Sequence, residues 1–237
     1  MNNYYRQIVE QINQTARKNP QPSKHFNLSK YMGTTHTIVN ITTSQLREII
    51  KNWTRENKDI AVGELIDVLD SFYVSNSHTD RSVGGKMLEY LPKQRQQIPP
   101  EHIDKWLTGA RGWEEVDSLC QSSFTAHEVL ENWKEWEKLL KKFVSDKDVH
   151  KRRASLVLLV RPVRESGDYR LTKMSFENIE KLKAEKDILI TKAISWLLRE
   201  LIVYHKQEVV ECLDKNGSTL PKIAVRETKR KLTTGKK

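Results

Sequence analysis

The chain has 237 residues, of which 37% are hydrophobic, and its 41 Lys and Arg outnumber 31 Asp and Glu to give a net charge of +10. This length allows a sizeable core in one large domain or two small ones. The charge favours a polyanionic partner, most simply nucleic acid, and no apolar run approaches the roughly 18 residues of a bilayer span. A polar N-terminus and two cysteines without metal-site spacing favour a reduced, cytoplasmic protein.

Apolar residues recur at helical spacing along most of the chain. In chain order, the clearest segments are residues 44–53, 62–74, 127–144 and 190–204. Only nine Gly and seven Pro are present, which favours helices over a turn-rich β protein. We expect about twelve short helices, with residues 161–175 as the longest interruption, an insertion between two helices.

Two segments of the second half resemble each other. RASLVLLV (153–160) and KAISWLLR (192–199) share a basic residue, Ala, a large apolar residue and Leu-Leu with a period of 39 residues. This period is close to the ~40–47 residues of HEAT-type helix pairs. We therefore predict an all-α, HEAT-like helical-repeat superhelix of stacked antiparallel helix pairs, with a basic concave face that binds DNA. Residues 1–232 are predicted to form this single repeat domain, and residues 233–237 a flexible basic tail.

The segment GWEEVDSLC (112–120) places Trp113 four residues before Asp117. A helix brings these two positions onto one face, so an aromatic ring would stand beside a carboxylate. Taken alone, Trp113 is more typical of a core aromatic residue, and Asp117 of a solvated or helix-capping residue.

Four short motifs in order resemble the HEAT-like repeat DNA glycosylases that remove alkylated purines, the AlkD type. The motifs are YM (31–32), WEEVDS (113–118), RRAS (152–155) and KAISWLLRE (192–200), and KIAVRETKRKL (222–232) is similar to the closing helix of that family. The resemblance spans residues 5–232.

The resemblance implies roles for individual residues. Asp117 would be the catalytic carboxylate, flanked by Trp113 and Trp196 against the DNA backbone. Arg153 would contact a phosphate near the lesion, and Tyr31 would border the cleft.

Two further cations and three departures belong to this comparison, and one of the departures is a longer loop after Arg153. Arg152 and Arg199 are added as DNA-binding candidates, although Arg152 also fits a solvated basic run. Where the family often has a second Trp this chain has Gly112, and where it has the first Asp of the motif this chain has Glu114.

Core packing remains an alternative for Trp196, because its counterpart in the repeat is Val157. No metal and no cofactor are expected, since no metal-binding cluster of carboxylates or histidines stands out.

The implied function is hydrolysis of the N-glycosidic bond of cationic alkylated purines, 3-methyladenine and 7-methylguanine, in duplex DNA during base excision repair. The resembled family works without base flipping, which predicts tolerance of bulky adducts. The expected protein is a cytoplasmic, nucleoid-associated monomer. Two alternatives remain: a catalytically inactive relative that binds branched or damaged DNA by shape, and a HEAT-type scaffold for protein interactions.

Overall fold

The computed structural model describes residues 2–20, 27–121 and 123–235. These ranges contain fourteen helices and no β-strand, and the predicted all-α, HEAT-like class is confirmed. Within the same ranges, no helix combines the length and the apolar character that crossing a bilayer requires.

The chain forms two compact units, Met1–Ser123 and Phe124–Lys237. The helices of the first unit are α1 (Asn3–Arg17), α2 (Leu28–Met32), α3 (Thr43–Glu56), α4 (Val62–Tyr73), α5 (His78–Tyr90), α6 (Pro92–Arg95), α7 (Glu101–Leu107) and α8 (Gly112–Cys120). Those of the second unit are α9 (Ala126–Glu131), α10 (Trp133–Val144), α11 (Val149–Glu165), α12 (Tyr169–Leu182), α13 (Ile188–Asn216) and α14 (Lys222–Thr234).

The single domain predicted for residues 1–232 stays a prediction. Of the predicted tail, Thr233 and Thr234 belong to α14, while Lys236 and Lys237 lie outside the described residues.

Short polar side chains set the beginnings of several helices. Thr42 and Gln45 form a reciprocal capping box at α3. Three successive helices, α11, α12 and α13, each begin after an aspartate whose carboxylate accepts a hydrogen bond from a first-turn N–H group: Asp148, Asp168 and Asp187. Such caps provide hydrogen-bond acceptors for amide groups that have no partner within the helix, so the local sequence determines where these helices begin.

Each unit is organised around one buried helix. In the first unit, α5 is buried from His78 to Leu88 and packs against α3, α4, α6 and α8. In the second unit, α11 is buried from Arg153 to Val160 and packs against α9, α10, α12 and α13.

The repeat predicted in the second half corresponds to α11 and α13. These helices begin 39 residues apart, at Val149 and Ile188, and pack directly against each other. Ala154 and Ala193, the small residues of the two copies, are both buried. Helices α10 and α12 also contact each other, so alternate helices form neighbouring pairs, as in a HEAT-like stack.

The predicted insertion at residues 161–175 is wrong. Helix α11 continues through Pro162 to Glu165 and α12 begins at Tyr169, which leaves a three-residue connection at 166–168. Pro162 removes one backbone donor near the end of the helix. The buried side chains of Val160 and Val163 on either side keep this turn in the core, and packing therefore outweighs the lost hydrogen bond.

Helices α5 and α8 approach each other closely at Gly85. A Cβ atom built on Gly85 would lie 1.8 Å from the carbonyl oxygen of Ser118, which is backbone and cannot rotate away. Only glycine therefore permits this contact, and the contact determines how α8 lies against the centre of the first unit.

We expect Gly85→Ala to destabilise the protein by at least about 2 kcal/mol, because overpacking forces the two helices apart. The matched control is Gly63→Ala in α4, where a Cβ atom would meet nothing within 4 Å. That variant should be neutral or gain up to about 1 kcal/mol. Urea unfolding monitored by circular dichroism measures both, and equal stability of the two variants would contradict the close approach.

Candidate active site

Helix α8 carries the aromatic residue and the carboxylate that the sequence singled out. Trp113 in its first turn is partly exposed, and Asp117 one turn later keeps 8% of its surface accessible. The two positions lie on one face of the helix, as the spacing predicts. Asp117 is therefore largely withdrawn from solvent.

Tyr31 of α2 lies against Trp113. The indole Nε1 donates a hydrogen bond to the carbonyl oxygen of Tyr31 at 3.0 Å. The two rings meet edge to face, with centroids 5.6 Å apart and planes at 90°. Tyr31 remains 59% exposed, so the pair presents an aromatic surface that is fixed in place and open to a ligand.

Gly112 is required by the contact between α2 and α8. Its φ is +76°, which residues with a Cβ atom rarely adopt, and a Cβ atom there would lie 2.1 Å from the carbonyl oxygen of Met32. Glycine at this position thus has a steric reason. A tryptophan at 112 would push α2, and with it Tyr31, away from Trp113.

Glu115 is a buried carboxylate at the centre of a hydrogen-bond network. It accepts from the hydroxyl of Thr34 at 2.8 Å and from the backbone N–H of Arg111 at 2.8 Å. The Nδ1 atoms of His36 and His78 lie 2.9 Å and 3.1 Å from its Oε1. One side chain therefore joins the start of α8 to the segment after α2 and to α5.

Glu114, the second carboxylate of the pair, faces α5. The hydroxyl of Ser82 donates to its Oε2 at 2.8 Å, and Nε2 of His78 lies 3.0 Å from the same oxygen. One ring nitrogen of His78 is within hydrogen-bond distance of each carboxylate. This is the geometry of an imidazolium that donates two hydrogen bonds.

The electrostatics of this triad follow from its geometry. Burial alone would lower the pKa of His78, but hydrogen bonds to Glu114 and Glu115 outweigh it and raise the pKa from 6.5 to about 9. Burial would raise the pKa of Glu115, but hydrogen bonds, first from His78, lower the pKa from 4.5 to about 2. The triad is therefore charged at neutral pH, with one imidazolium between two carboxylates.

His78 and Glu115 were not among the residues that the sequence singled out. They are 37 positions apart in sequence and meet only because α5 packs on α8. The available signal was the consecutive acidic pair after Trp113, since two adjacent carboxylates in a helix that is mostly buried need cationic partners.

Arg153 and Arg152 lie in the first turns of α11 in the second unit. Arg153 is only 4% exposed, and its Nη1 donates to the carbonyl oxygen of Leu189 at 2.5 Å. Arg152 pairs with Glu185 through Nε at 2.7 Å and Nη2 at 3.1 Å. Its Nη1 donates to the carbonyl oxygens of residues 146 and 147, so this guanidinium is largely engaged by protein groups.

Trp196 and Arg199 lie on α13 of the same unit. Trp196 is partly exposed, whereas its repeat counterpart Val157 is fully buried. Arg199 donates from Nε to the carbonyl oxygen of Ser195 at 3.0 Å, and its Nη2 lies 3.6 Å from Glu227 of α14.

The net charge is divided very unevenly between the units. Residues 124–237 contain 26 Lys and Arg against 17 Asp and Glu, a net charge of +9. Residues 1–123 contain 15 against 14, a net charge of +1. The attraction for a polyanion thus belongs to the second unit, and the Trp113–Asp117 pair belongs to the first.

The triad predicts how stability depends on pH. The contribution of His78 is complete below pH 6.5 and is lost as pH rises through about 9, because its pKa is raised on folding. The contribution of Glu115 is complete above pH 4.5 and is lost as pH falls towards about 2. The network is therefore strongest between pH 4.5 and 6.5.

We expect His78→Gln to lose on the order of 2 kcal/mol at pH 6 and much less at pH 10, where the wild type has lost the imidazolium as well. Urea unfolding at both values measures this, with His127→Gln as the control, since the side chain of His127 is 79% exposed. A loss that does not change with pH would show that His78 acts through packing alone.

Comparisons with known proteins agree with this fold. The model of the DNA alkylation repair enzyme family matches residues 12–232. A predicted DNA alkylation repair enzyme from Enterococcus faecalis has a similar structure, with a TM-score of 0.71 at 18% identity over 87% of this chain and 93% of that one. No curated protein matches the sequence. Because the family model matches nearly the whole chain, this protein belongs to the DNA alkylation repair enzyme family.

Proposed function

We propose that this protein is a DNA glycosylase that hydrolyses the N-glycosidic bond of cationic alkylated purines, 3-methyladenine and 7-methylguanine, in duplex DNA. The observation that carries the proposal is the pairing on α8 of Asp117 with Trp113, beside the exposed ring of Tyr31. Family membership supports a role in the repair of alkylated DNA.

The chemistry requires few groups. A purine alkylated at N3 or N7 already carries a positive charge and leaves without being protonated, so no general acid is needed. As the bond breaks, positive charge moves to the sugar, as in glycoside hydrolysis. A largely buried carboxylate such as Asp117 stabilises that charge and positions the attacking water.

The aromatic side chains have a complementary role in this proposal. The face of an indole attracts a developing sugar cation, and Trp113 and Trp196 are both partly exposed. Trp113 and Tyr31 lie at the surface of the first unit, where they suit contact with the sugar and backbone of a duplex while the base stays stacked. This arrangement supports excision without base flipping, and with it tolerance of bulky adducts.

The cations of the second unit would hold the phosphates. Arg153, Arg152 and Arg199 are the proposed contacts, in a unit with a net charge of +9. Arg199 lies 3.6 Å from Glu227 and Arg152 is paired with Glu185, so each must exchange a carboxylate for a phosphate. Arg153 is 4% exposed and donates to the carbonyl oxygen of Leu189, so it must leave that contact to reach a phosphate. The proposed protein acts as a monomer on the nucleoid, within the cytoplasm.

One observation favours the alternative of a catalytically inactive protein that binds branched or damaged DNA by shape. Asp117 is 8% exposed, which leaves little room for a substrate sugar beside it. In this alternative the carboxylate of Asp117 would only stabilise α8. The basic second unit would bind DNA, and no bond of the DNA would be cleaved. The assay of base release separates the two functions.

The first experiment compares wild type with Asp117→Asn for release of 7-methylguanine from methylated duplex DNA. We expect release by the wild type and a loss of about a hundredfold or more in the variant, because the transition-state cation loses its counter-charge. The control is Asp67→Asn on the exposed face of α4, which should keep full activity. Intact duplex binding without any release by the wild type would favour the inactive alternative.

A second experiment varies the charge of the lesion. Duplexes containing 3-methyladenine or 7-methylguanine should lose the base, whereas a duplex containing uracil should not, because the neutral base needs a proton donor to leave. Chromatography of the released bases measures all three. Release of uracil at a comparable rate would show that the leaving base does not need a positive charge and would contradict the mechanism.

A further inference from the structure

A groove on the second unit lies between α10 and α12, apart from all the residues proposed for catalysis. It has a volume of about 200 Å³ and is lined by Trp133, Glu137 and Lys141 of α10 and by Tyr169, Arg170, Lys173, Met174 and Glu177 of α12. The lining residues recur at helical spacing on both helices, so the groove follows the two helices for about two turns.

The aromatic residues at one end of this groove are not needed by the core. Tyr169 is 71% exposed, one of the most exposed large apolar side chains of the described chain. Trp133 is partly exposed, while Trp136 on the same helix is buried edge to face against Phe124 at 4.9 Å. The core contacts of α10 come from Trp136, Leu139, Leu140, Phe143 and Val144, and Trp133 is not among its buried residues.

A guanidinium completes this aromatic end. Arg170 lies over the Trp133 ring with its Cζ 5.8 Å from the ring centroid. Asp168 holds it there through Nε at 3.0 Å and Nη2 at 2.9 Å. The result is a preformed set of flat surfaces, indole, guanidinium and phenol, at one end of a narrow groove.

The charges beyond the aromatic end suit an anion. Lys141 is paired with Glu137 at 2.5 Å, but Lys173 forms no ion pair with any described residue. Lys173 is exposed and lies one turn after Tyr169, within reach of a phosphate attached to a base at the aromatic end. The strongly positive second unit adds long-range attraction for a polyanion.

We propose that this groove is a second nucleic-acid site, which binds an unpaired strand by stacking a base on Tyr169 and Trp133 and placing the adjoining phosphate on Lys173. A groove of this size has room for one planar base, whereas the bases of an intact duplex are stacked on each other and do not enter it. Stacking on aromatic side chains with backbone attraction is the usual mode of single-strand binding. The proposal is independent of glycosylase activity, because α10 and α12 carry none of the proposed catalytic residues.

Fluorescence anisotropy tests the site with the full chain and a labelled oligothymidylate of about twelve nucleotides at low salt. We expect Trp133→Ala and Tyr169→Ala each to weaken binding about tenfold, the loss of one stacked base. Tyr204→Ala, at a tyrosine of α13 that is 54% exposed, is the matched control and should bind as the wild type does. Equal affinity of all four proteins, or no binding by the wild type, would overturn the proposal.

Tryptophan emission provides a second readout that a general loss of charge or of fold would not reproduce. Stacking of thymine on Trp133 should quench part of the emission, and Trp133→Phe should remove that quenching while keeping most of the affinity. Quenching that persists in Trp133→Phe would show that thymine binds beside another tryptophan.

Release of 7-methylguanine from duplex DNA should be the same for Trp133→Ala and wild type, so a failure of this site and a failure of the glycosylase proposal are distinguishable.

Discussion

The imidazole of His78 between the carboxylates of Glu114 and Glu115 is the interaction on which the first unit depends. Two adjacent carboxylates in a largely buried helix would be costly without a cation. Helix α5 supplies His78, with contacts of 3.0 Å and 3.1 Å, and Arg81, whose Nε lies 3.8 Å from Glu115. The same carboxylates reach Thr34, His36 and Ser82, so one electrostatic centre fixes α8 against two other segments. The positions of Trp113 and Asp117 therefore depend on this electrostatic centre.

Steric constraints at two glycines complement this electrostatic centre. Gly85 lets the backbone of α8 approach α5, and Gly112 lets the start of α8 approach the end of α2. Hydrogen bonds then determine the direction of the side chains, since Trp113 donates to the carbonyl of Tyr31. Close backbone packing and a charged network together produce a rigid aromatic surface, which is the preorganisation that a catalytic site or a binding site requires.

The two units divide the properties that a DNA repair enzyme needs. The first is almost neutral and carries the carboxylate and the Tyr31–Trp113 pair, and the second holds nearly all of the excess positive charge. Long-range attraction for a polyanion therefore comes from the second unit, while the carboxylate proposed for the chemistry lies in the first. The exposed aromatic groove of α10 and α12 adds a surface in the second unit whose flat, cationic character suits a base and its phosphate.

The sequence by itself determined the helical class, the aspartate-capped starts of α11 to α13, the Ala154–Ala193 repeat and the family, because each is carried by short segments that can be recognised without knowing which helices pack together. Only the tertiary structure decided that the interruption expected at 161–175 is helical except at 166–168, because core packing outweighs the cost of Pro162. It alone decided that Glu185 engages Arg152 and that His78 supports α8. Those partners are more than thirty residues apart, and no local periodicity encodes a contact that arises only when helices pack.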